Sequence, residues 1–201
     1  MAIKTITRLT LERRLQTIFQ PHSFKSVLEI GASQTWSPYR ELFQAQQYIS
    51  LDYDQSFGPH VCGDICHTGF QQNSFDAVLL FEVLEHIFYP HQAINEVHRV
   101  LKPNGLCLLS TRFIFQYHPS PKDYYRFTED ALQALFKSFH EVTVLSHGNQ
   151  LQAVWQLILA RELELPRSFW IKALRRFNRL CAISKRTDRR APLGYLVKAI
   201  K

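Results

Sequence analysis

Three features of this 201-residue sequence stand at spacings that suit one small ligand. Glu29-Ile30-Gly31-Ala32-Ser33 closes an apolar run, and its small residues let a ligand approach the backbone. Asp52 follows 21 residues after Gly31, a spacing that suits a carboxylate accepting hydrogen bonds from both hydroxyls of a ribose. Asp64, in Gly63-Asp64-Ile65, is placed to accept a hydrogen bond from an adenine amino group. Either acid alone reads as a turn residue ending a strand. The three in this order outline a nucleoside pocket.

Other residues raise other chemistry. Glu82-x-x-Glu85-His86 puts two carboxylates and an imidazole at one strand end, a set able to converge on a magnesium-like ion with His118 as a distant fourth. The alternative is structural, with Glu85 and His86 hydrogen-bonding the neighbouring loop, and the expectation is no metal. Residues 116–128 (QYHPSPKDYYRFT) hold the candidates for proton transfer. His118 comes first, because imidazole titrates near neutrality. Tyr125 or Arg126 would orient an acceptor or neutralise an anionic group on it. Against this stands plain packing of Tyr124, Tyr125 and Phe127 on a sheet. Cys62 and Cys66 beside His60 and His67 invite zinc, but no second ligand pair follows at structural-zinc spacing. Buried or half-buried thiols are the expectation.

These residues need a frame to hold them. Short apolar runs at 26–30, 48–52, 61–65, 77–82, 106–111 and 142–146 read as strands. Helical stretches lie between them at 38–46, 91–101 and 128–139, after an amphipathic helix over 1–20. Thr128 is the expected N-cap of the third. Leu101-Lys102-Pro103-Asn104-Gly105 reads as a helix end plus a turn into the next strand. Alternation of this kind predicts an α/β fold with a mostly parallel sheet covered on both faces. In such sheets ligands bind beyond the C-terminal strand ends, where Gly31, Asp52 and Asp64 fall.

Composition agrees. The chain is 46% hydrophobic and 20% charged, with 15 Phe, 8 Tyr and 3 Trp, which excludes a disordered chain. It has no apolar run of the roughly 20 residues a membrane span needs and no signal-peptide pattern, so the cytoplasm is the expected compartment. The net charge of +7 is unevenly placed: residues 1–165 hold 13 Lys+Arg against 16 Asp+Glu, and residues 166–201 hold 11 against Asp188 alone. Within that basic segment a helix is expected from Ser168 to about 186. Trp170, Ala173, Leu174, Phe177 and Cys181 fall on one side of it, and Lys172, Arg175, Arg176, Arg179 and Arg186 on the other. Its apolar face packs on the domain, or lies peripherally on an anionic membrane surface and brings the site to a lipid-linked acceptor. Nucleic acid ranks below both, because one face is aromatic and apolar.

The chain resembles the class I S-adenosylmethionine-dependent methyltransferases over roughly residues 24–147 plus the final strand. Val27-Leu28-Glu29-Ile30-Gly31-Ala32 looks like their first motif and Ser50-Leu51-Asp52 like their second. Asn73-Ser74-Phe75-Asp76-Ala77-Val78 followed by Phe81-Glu82-Val83-Leu84-Glu85-His86 is similar to their fourth-strand signature. Arg99-Val100-Leu101-Lys102-Pro103-Asn104-Gly105 resembles their turn into strand five. The resemblance implies a Rossmann-like seven-stranded sheet of order 3-2-1-4-5-7-6, its last strand antiparallel and formed by 195–200. It implies one domain over 1–201, with a two-helix elaboration at about 151–190 before that strand.

The implied cofactor is S-adenosyl-L-methionine. Gly31 and its neighbours Glu29, Ala32 and Ser33 would face its methionine moiety, Asp52 its ribose, Asp64 its adenine, and Phe81 and Glu82 the region of the methyl group, with Tyr53 and Ile65 as further cofactor contacts. Ser33 and Thr35 stand where the family loop usually has further glycines, so a methyltransferase-like scaffold that has lost the cofactor is the rival reading. No Asn-Pro-Pro-Tyr-like motif follows strand four, which argues against amino methylation of DNA bases and leans towards O-methylation of a small-molecule, glycan or lipid-linked acceptor. Glu82-x-x-Glu85-His86 is also similar to metal-using O-methyltransferases of ubiquinone biosynthesis and small-RNA 2′-O-methylation.

Overall fold

The structure, a computed structural model, describes residues 5–19, 23–34, 37, 39–119, 121–160 and 187–201. In chain order the elements are α1 (Ile6–Ile18), β1 (Phe24–Ile30), β2 (Ala45–Asp52), β3 (Val61–Cys62), β4 (Phe75–Phe81), α2 (Pro90–Val100), β5 (Leu101–Arg112), α3 (Glu129–Leu135), β6 (Glu141–His147), α4 (Gln150–Ala160) and β7 (Gly194–Ile200). The strands form one sheet of order β3-β2-β1-β4-β5-β7-β6. All neighbours pair in parallel except β7, which runs antiparallel to both β5 and β6. Order and the antiparallel last strand are as expected.

The near-continuous apolar run of β4 follows from burial on both faces. Ala77 and Leu79 join Leu11 and Leu15 of α1 on one side of the sheet. Val78 and Leu80 join Ile94 and Val97 of α2 and Leu132 of α3 on the other. Each such Val, Leu or Ile side chain contributes roughly 1.5–3 kcal/mol when taken from water. Pro90 opens α2, where its missing N–H costs nothing. Thr128 caps α3, its hydroxyl accepting from the Ala131 N–H at 3.2 Å, as its sequence position predicts.

Several boundaries differ from the sequence reading. The helix expected over 38–46 is only a single 3-10 turn at Arg40–Leu42, because β2 starts at Ala45 to pair with Phe24 of β1. Phe43 ends that turn fully buried, its ring 4.6 Å from Phe19 and 6.0 Å from Phe81. The third strand stops at Cys62, since Asp64 caps a 3-10 turn at Ile65–His67. The turn expected at 101–105 is a bulge inside β5: Phe75 pairs with Leu101 but Ala77 with Leu106, with Asn104 at φ +62°. Cys62, Cys66 and Cys107 are free thiols. Of the two-helix elaboration expected at about 151–190, the first helix is α4, described to Ala160, and the basic helix at 168–186 lies outside the described residues. Among the described residues no helix is long and apolar enough to cross a membrane.

His147, fully buried where β6 ends, ties α1 to the sheet: its Nδ1 lies 3.0 Å from the Thr10 hydroxyl. Burial, aided by the charges of Arg112 and Arg14, pushes its pKa down to about 3, so the ring is neutral in the folded chain. An unfolded histidine titrates near 6.5, so below that pH the unfolded state takes up a proton the native state refuses. Stability is therefore expected to fall by about 1 kcal/mol between pH 6.5 and 5.5. Urea unfolding at both values checks this, and a His147→Asn variant should lose that part of the slope.

Candidate functional site

The C-terminal ends of β1, β2 and β4 open on a cavity of about 710 Å³. That size lies within the range of small-ligand sites. Gly31, just past β1, adopts φ +77°, a left-handed conformation that glycine takes without strain. Its N–H donates to the Leu51 carbonyl at 2.8 Å, fixing the loop against β2. A Cβ at Gly31 would collide with the Val83 Cγ2 methyl on the opposite wall. Ala32 and Ser33 continue this wall, and Thr35 lies outside the described residues.

Asp52 ends β2 with its carboxylate at the cavity, where Oδ1 accepts from the Asp54 N–H at 2.9 Å. Burial, reinforced by the Asp54 charge and opposed by backbone hydrogen bonds, raises its pKa above the ordinary value. Asp64 lies beyond β3, its Oδ1 accepting from the Cys66 N–H at 2.8 Å. Leu51, Phe57 and Ile65 supply apolar walls, and Tyr53 and Phe57 stand exposed at the rim.

Phe81 and Glu82 form the floor at the end of β4. Glu82 takes φ +62°, unusual for a residue with a side chain. Its N–H donates to the Ser110 carbonyl at 2.9 Å, which anchors the turn to β5. Its Oε2 is ion-paired with the Arg112 guanidinium at the end of β5, and its buried Oε1 has no hydrogen-bond partner. Glu85, one turn on, is fully buried: Oε2 accepts from the Thr111 hydroxyl at 3.0 Å, and Oε1 is 3.8 Å from Arg112 Nε. Two carboxylates thus share one guanidinium, which itself lies 3.8 Å over the Phe115 ring. Burial pushes Glu82 up to about 7, with Arg112 opposing and Glu85 adding to the rise.

Four of the residues read from the sequence as cofactor-binding or catalytic do not line this cavity, nor does Glu85 of the carboxylate–imidazole set. Glu29 is buried behind the Gly31 loop, accepting from Ser37 at Oε1 and from the Tyr48 hydroxyl, 2.6 Å away, at Oε2. Asp123 gathers the other three's segment into a loop closed on itself. It accepts from the His118 N–H at 3.0 Å, and Arg126 forks onto both its oxygens while also reaching the Gln116 carbonyl. The His118 ring packs edge-on between His86 and Phe115, with Nε2 3.9 Å from Glu85 Oε1. Burial, with the Arg112 charge, lowers its pKa. Tyr125 donates its hydroxyl proton to the Phe88 carbonyl at 2.9 Å.

The loop meets the turn after β4 through backbone bonds as well. Glu85 O accepts from Tyr124 and Tyr125, and His86 Nδ1 lies against Lys122 O. The carboxylate–imidazole set also differs from the one the spacing suggested. Glu85, His86 and His118, among the described residues, bring potential ligand atoms within 4.8 Å of one another, and Glu82 stands apart on Arg112. The cation facing these carboxylates is the protein's own guanidinium. Arg112 was missed in the sequence because it follows the last apolar position of its strand. Pro121 and Tyr124 also line the cavity, beside Phe88 and Tyr89.

Comparison with known proteins bears on the fold that carries this site. Residues 22–109 match a family model described as a methyltransferase domain. A probable S-adenosylmethionine-dependent methyltransferase of Mycolicibacterium smegmatis is 29% identical over 113 residues, 49% of this chain and 44% of that protein. The match thus spans less than half the length of that curated relative. Among solved structures, a SAM-dependent methyltransferase from Archaeoglobus fulgidus superposes with a TM-score of 0.61 at 14% identity, covering 96% of this chain and 94% of that one. A possible histamine N-methyltransferase from Thermotoga maritima gives 0.64 at 14% identity, covering 96% and 89%. At that identity the two structures speak for the fold.

Proposed function

We propose that this chain, whose sheet has the order β3-β2-β1-β4-β5-β7-β6 and whose residues 22–109 match a methyltransferase-domain model, is a class I S-adenosylmethionine-dependent methyltransferase that methylates a hydroxyl group of a small-molecule, glycan or lipid-linked acceptor. The observation that carries this reading is the cavity with Gly31, Asp52 and Asp64 at one end and the partly unpaired carboxylate of Glu82 at its floor. The donor end suits the cofactor's parts. Asp52 is placed to accept from ribose hydroxyls and Asp64 from an adenine amino group, while Leu51, Phe57 and Ile65 offer apolar surface to the base. The cofactor, when bound, supplies a methyl group on a sulfonium. The protein's task is then to hold an acceptor oxygen in line and receive its proton.

The acceptor side is aromatic. Phe88, Tyr89 and Tyr124 are 52%, 56% and 44% exposed at the mouth, and Phe88 meets Tyr124 edge-to-face with ring centroids 5.1 Å apart. Beyond Phe88 and Tyr89 a second cavity of about 560 Å³ continues along Pro90, Tyr125, Phe127 and Leu135, which suits a sugar face or an apolar chain carried by the acceptor. His118 and Arg126 then hold this wall in shape and do not touch the acceptor, whereas Tyr125 lines the second cavity. Membrane contact through the basic 168–186 segment would fit a lipid-linked acceptor.

Calorimetric titration with S-adenosylmethionine and S-adenosylhomocysteine tests the reading. Both should bind at micromolar concentration. A folded protein that binds neither would be a methyltransferase-like scaffold, not an enzyme.

A further inference from the structure

We infer that Glu82 is the proton acceptor of the transfer, its carboxylate gaining and losing charge in step with the cofactor's sulfonium. The inference rests on the proposed function and names the group that completes its chemistry. Four observations support it. Glu82 lies on the cavity floor at the end of β4, held there by a backbone conformation that side chains rarely adopt. Strained residues of this kind cluster at functional sites. Its Oε2 is fixed by Arg112, and its Oε1 is buried without a hydrogen-bond partner. A polar atom left so in a native structure costs stability that something else must justify. His118, the imidazole suited by type to this task, is behind Glu85 and off the cavity.

The charges around Glu82 come from every side. Arg112 approaches from β5, Glu85 and His86 from the turn after β4, and Tyr39 from the segment before β2. His118 stands beyond Glu85 and is held towards its neutral form by burial. Asp123 and Arg126 cancel each other. Two carboxylates against one guanidinium therefore leave one negative charge over, unless the pair binds a proton. Burial favours that proton, and at neutral pH the pair holds it part of the time, with Glu82 the member facing the cavity.

A cation in the cavity settles the question in favour of the carboxylate. The reaction then balances without leaving a net charge in the site. The acceptor oxygen bonds the methyl carbon, the sulfur–methyl bond breaks with its electron pair staying on sulfur, and the hydroxyl proton passes to Glu82. One positive and one negative charge become none. Loss of the sulfonium restores Glu82's affinity for a proton as the acceptor releases one. The design also discriminates donor from product: ionised Glu82 favours the cationic donor over neutral S-adenosylhomocysteine.

The test needs no acceptor. The affinities of S-adenosylmethionine and S-adenosylhomocysteine are measured by calorimetry from pH 6 to 8, in buffers of low and high ionisation enthalpy. In the unaltered protein the ratio of donor to product affinity should rise several-fold with pH, and the donor should release about half a proton more on binding near pH 6.5. In Glu82→Gln both differences should shrink to what the ligands' own amino groups contribute, which is common to the two proteins and cancels when they are compared. A ratio that is flat in the unaltered protein, or equally steep in Glu82→Gln, overturns the inference while leaving cofactor binding intact. The first of those arms decides even if the variant does not fold. Absence of binding by either ligand would instead remove the proposed function, and this inference with it.

Discussion

Gly31→Ala is expected to reduce cofactor affinity beyond calorimetric detection and to lower stability by about 1–3 kcal/mol. Two independent terms act in the same direction. An alanine at φ +77° is held in the left-handed region, which alone costs roughly 1 kcal/mol. The added Cβ also strikes Val83 Cγ2, and Val83 begins the segment that carries Glu85 and the aromatic mouth. Relief needs rotation of Val83 about its stiff χ1, or a shift of the Gly31 loop or of that segment, and each reshapes a wall of the cavity. The double variant Gly31→Ala/Val83→Ala removes the collision but not the strain, so it should recover part of the melting temperature. Thermal melts and titration of the three proteins separate the terms, and undiminished cofactor binding by Gly31→Ala would contradict the proposed placement.

Asp52→Ala should weaken S-adenosylmethionine and S-adenosylhomocysteine alike, by about 10- to 100-fold, the worth of one or two hydrogen bonds to a charged acceptor. Equal loss is the signature, because the ribose is common to both ligands and the sulfonium is not. The fold should tolerate the change, since Asp52 is half-buried and the backbone groups its carboxylate accepts from, those of Tyr53 and Asp54, are its immediate chain neighbours. Because burial raises its pKa, Asp52 loses its charge at a higher pH than an exposed aspartate. Affinity for both ligands is therefore expected to decline on acidification before ordinary carboxylates titrate. A loss confined to one ligand, or none, would detach Asp52 from the ribose.

The parts of this molecule that were legible in advance are those set by local pattern. Ala77-Val78-Leu79-Leu80 can only be a strand covered on both faces, and Gly31, Asp52 and Asp64 fall at strand ends because their positions follow apolar runs. Thr128 was legible as a cap for the same local reason. What escaped depends on contacts distant in sequence. Residues 38–46 carry a helical pattern, yet pairing of Ala45 with Phe24 takes the end of this stretch into β2 and leaves only a 3-10 turn at Arg40–Leu42 before it. The loop at 116–128 offers His118, Tyr125 and Arg126 as catalytic types, but Asp123 turns two of them inward and the Phe88 carbonyl takes the third. Arg112 has no local signature at all; its importance comes from two glutamates that precede it by 30 and 27 positions.

The insertion of β7 between β5 and β6 has a consequence for how the chain reaches its native state. Residue 106 finds its partner in residue 200, and residue 141 pairs with that same strand. During synthesis β5 and β6 emerge well before the strand that must separate them. Until β7 arrives, the β5 edge from Leu106 to Arg112 presents unpaired amides beside apolar side chains, a template for pairing with another chain. Contacts this remote in sequence also form slowly. Nascent chains halted before β7 should therefore be the aggregating species, and Arg112, held by β7 through its pairing with Gly194, should be among the last residues to take its place under Glu82.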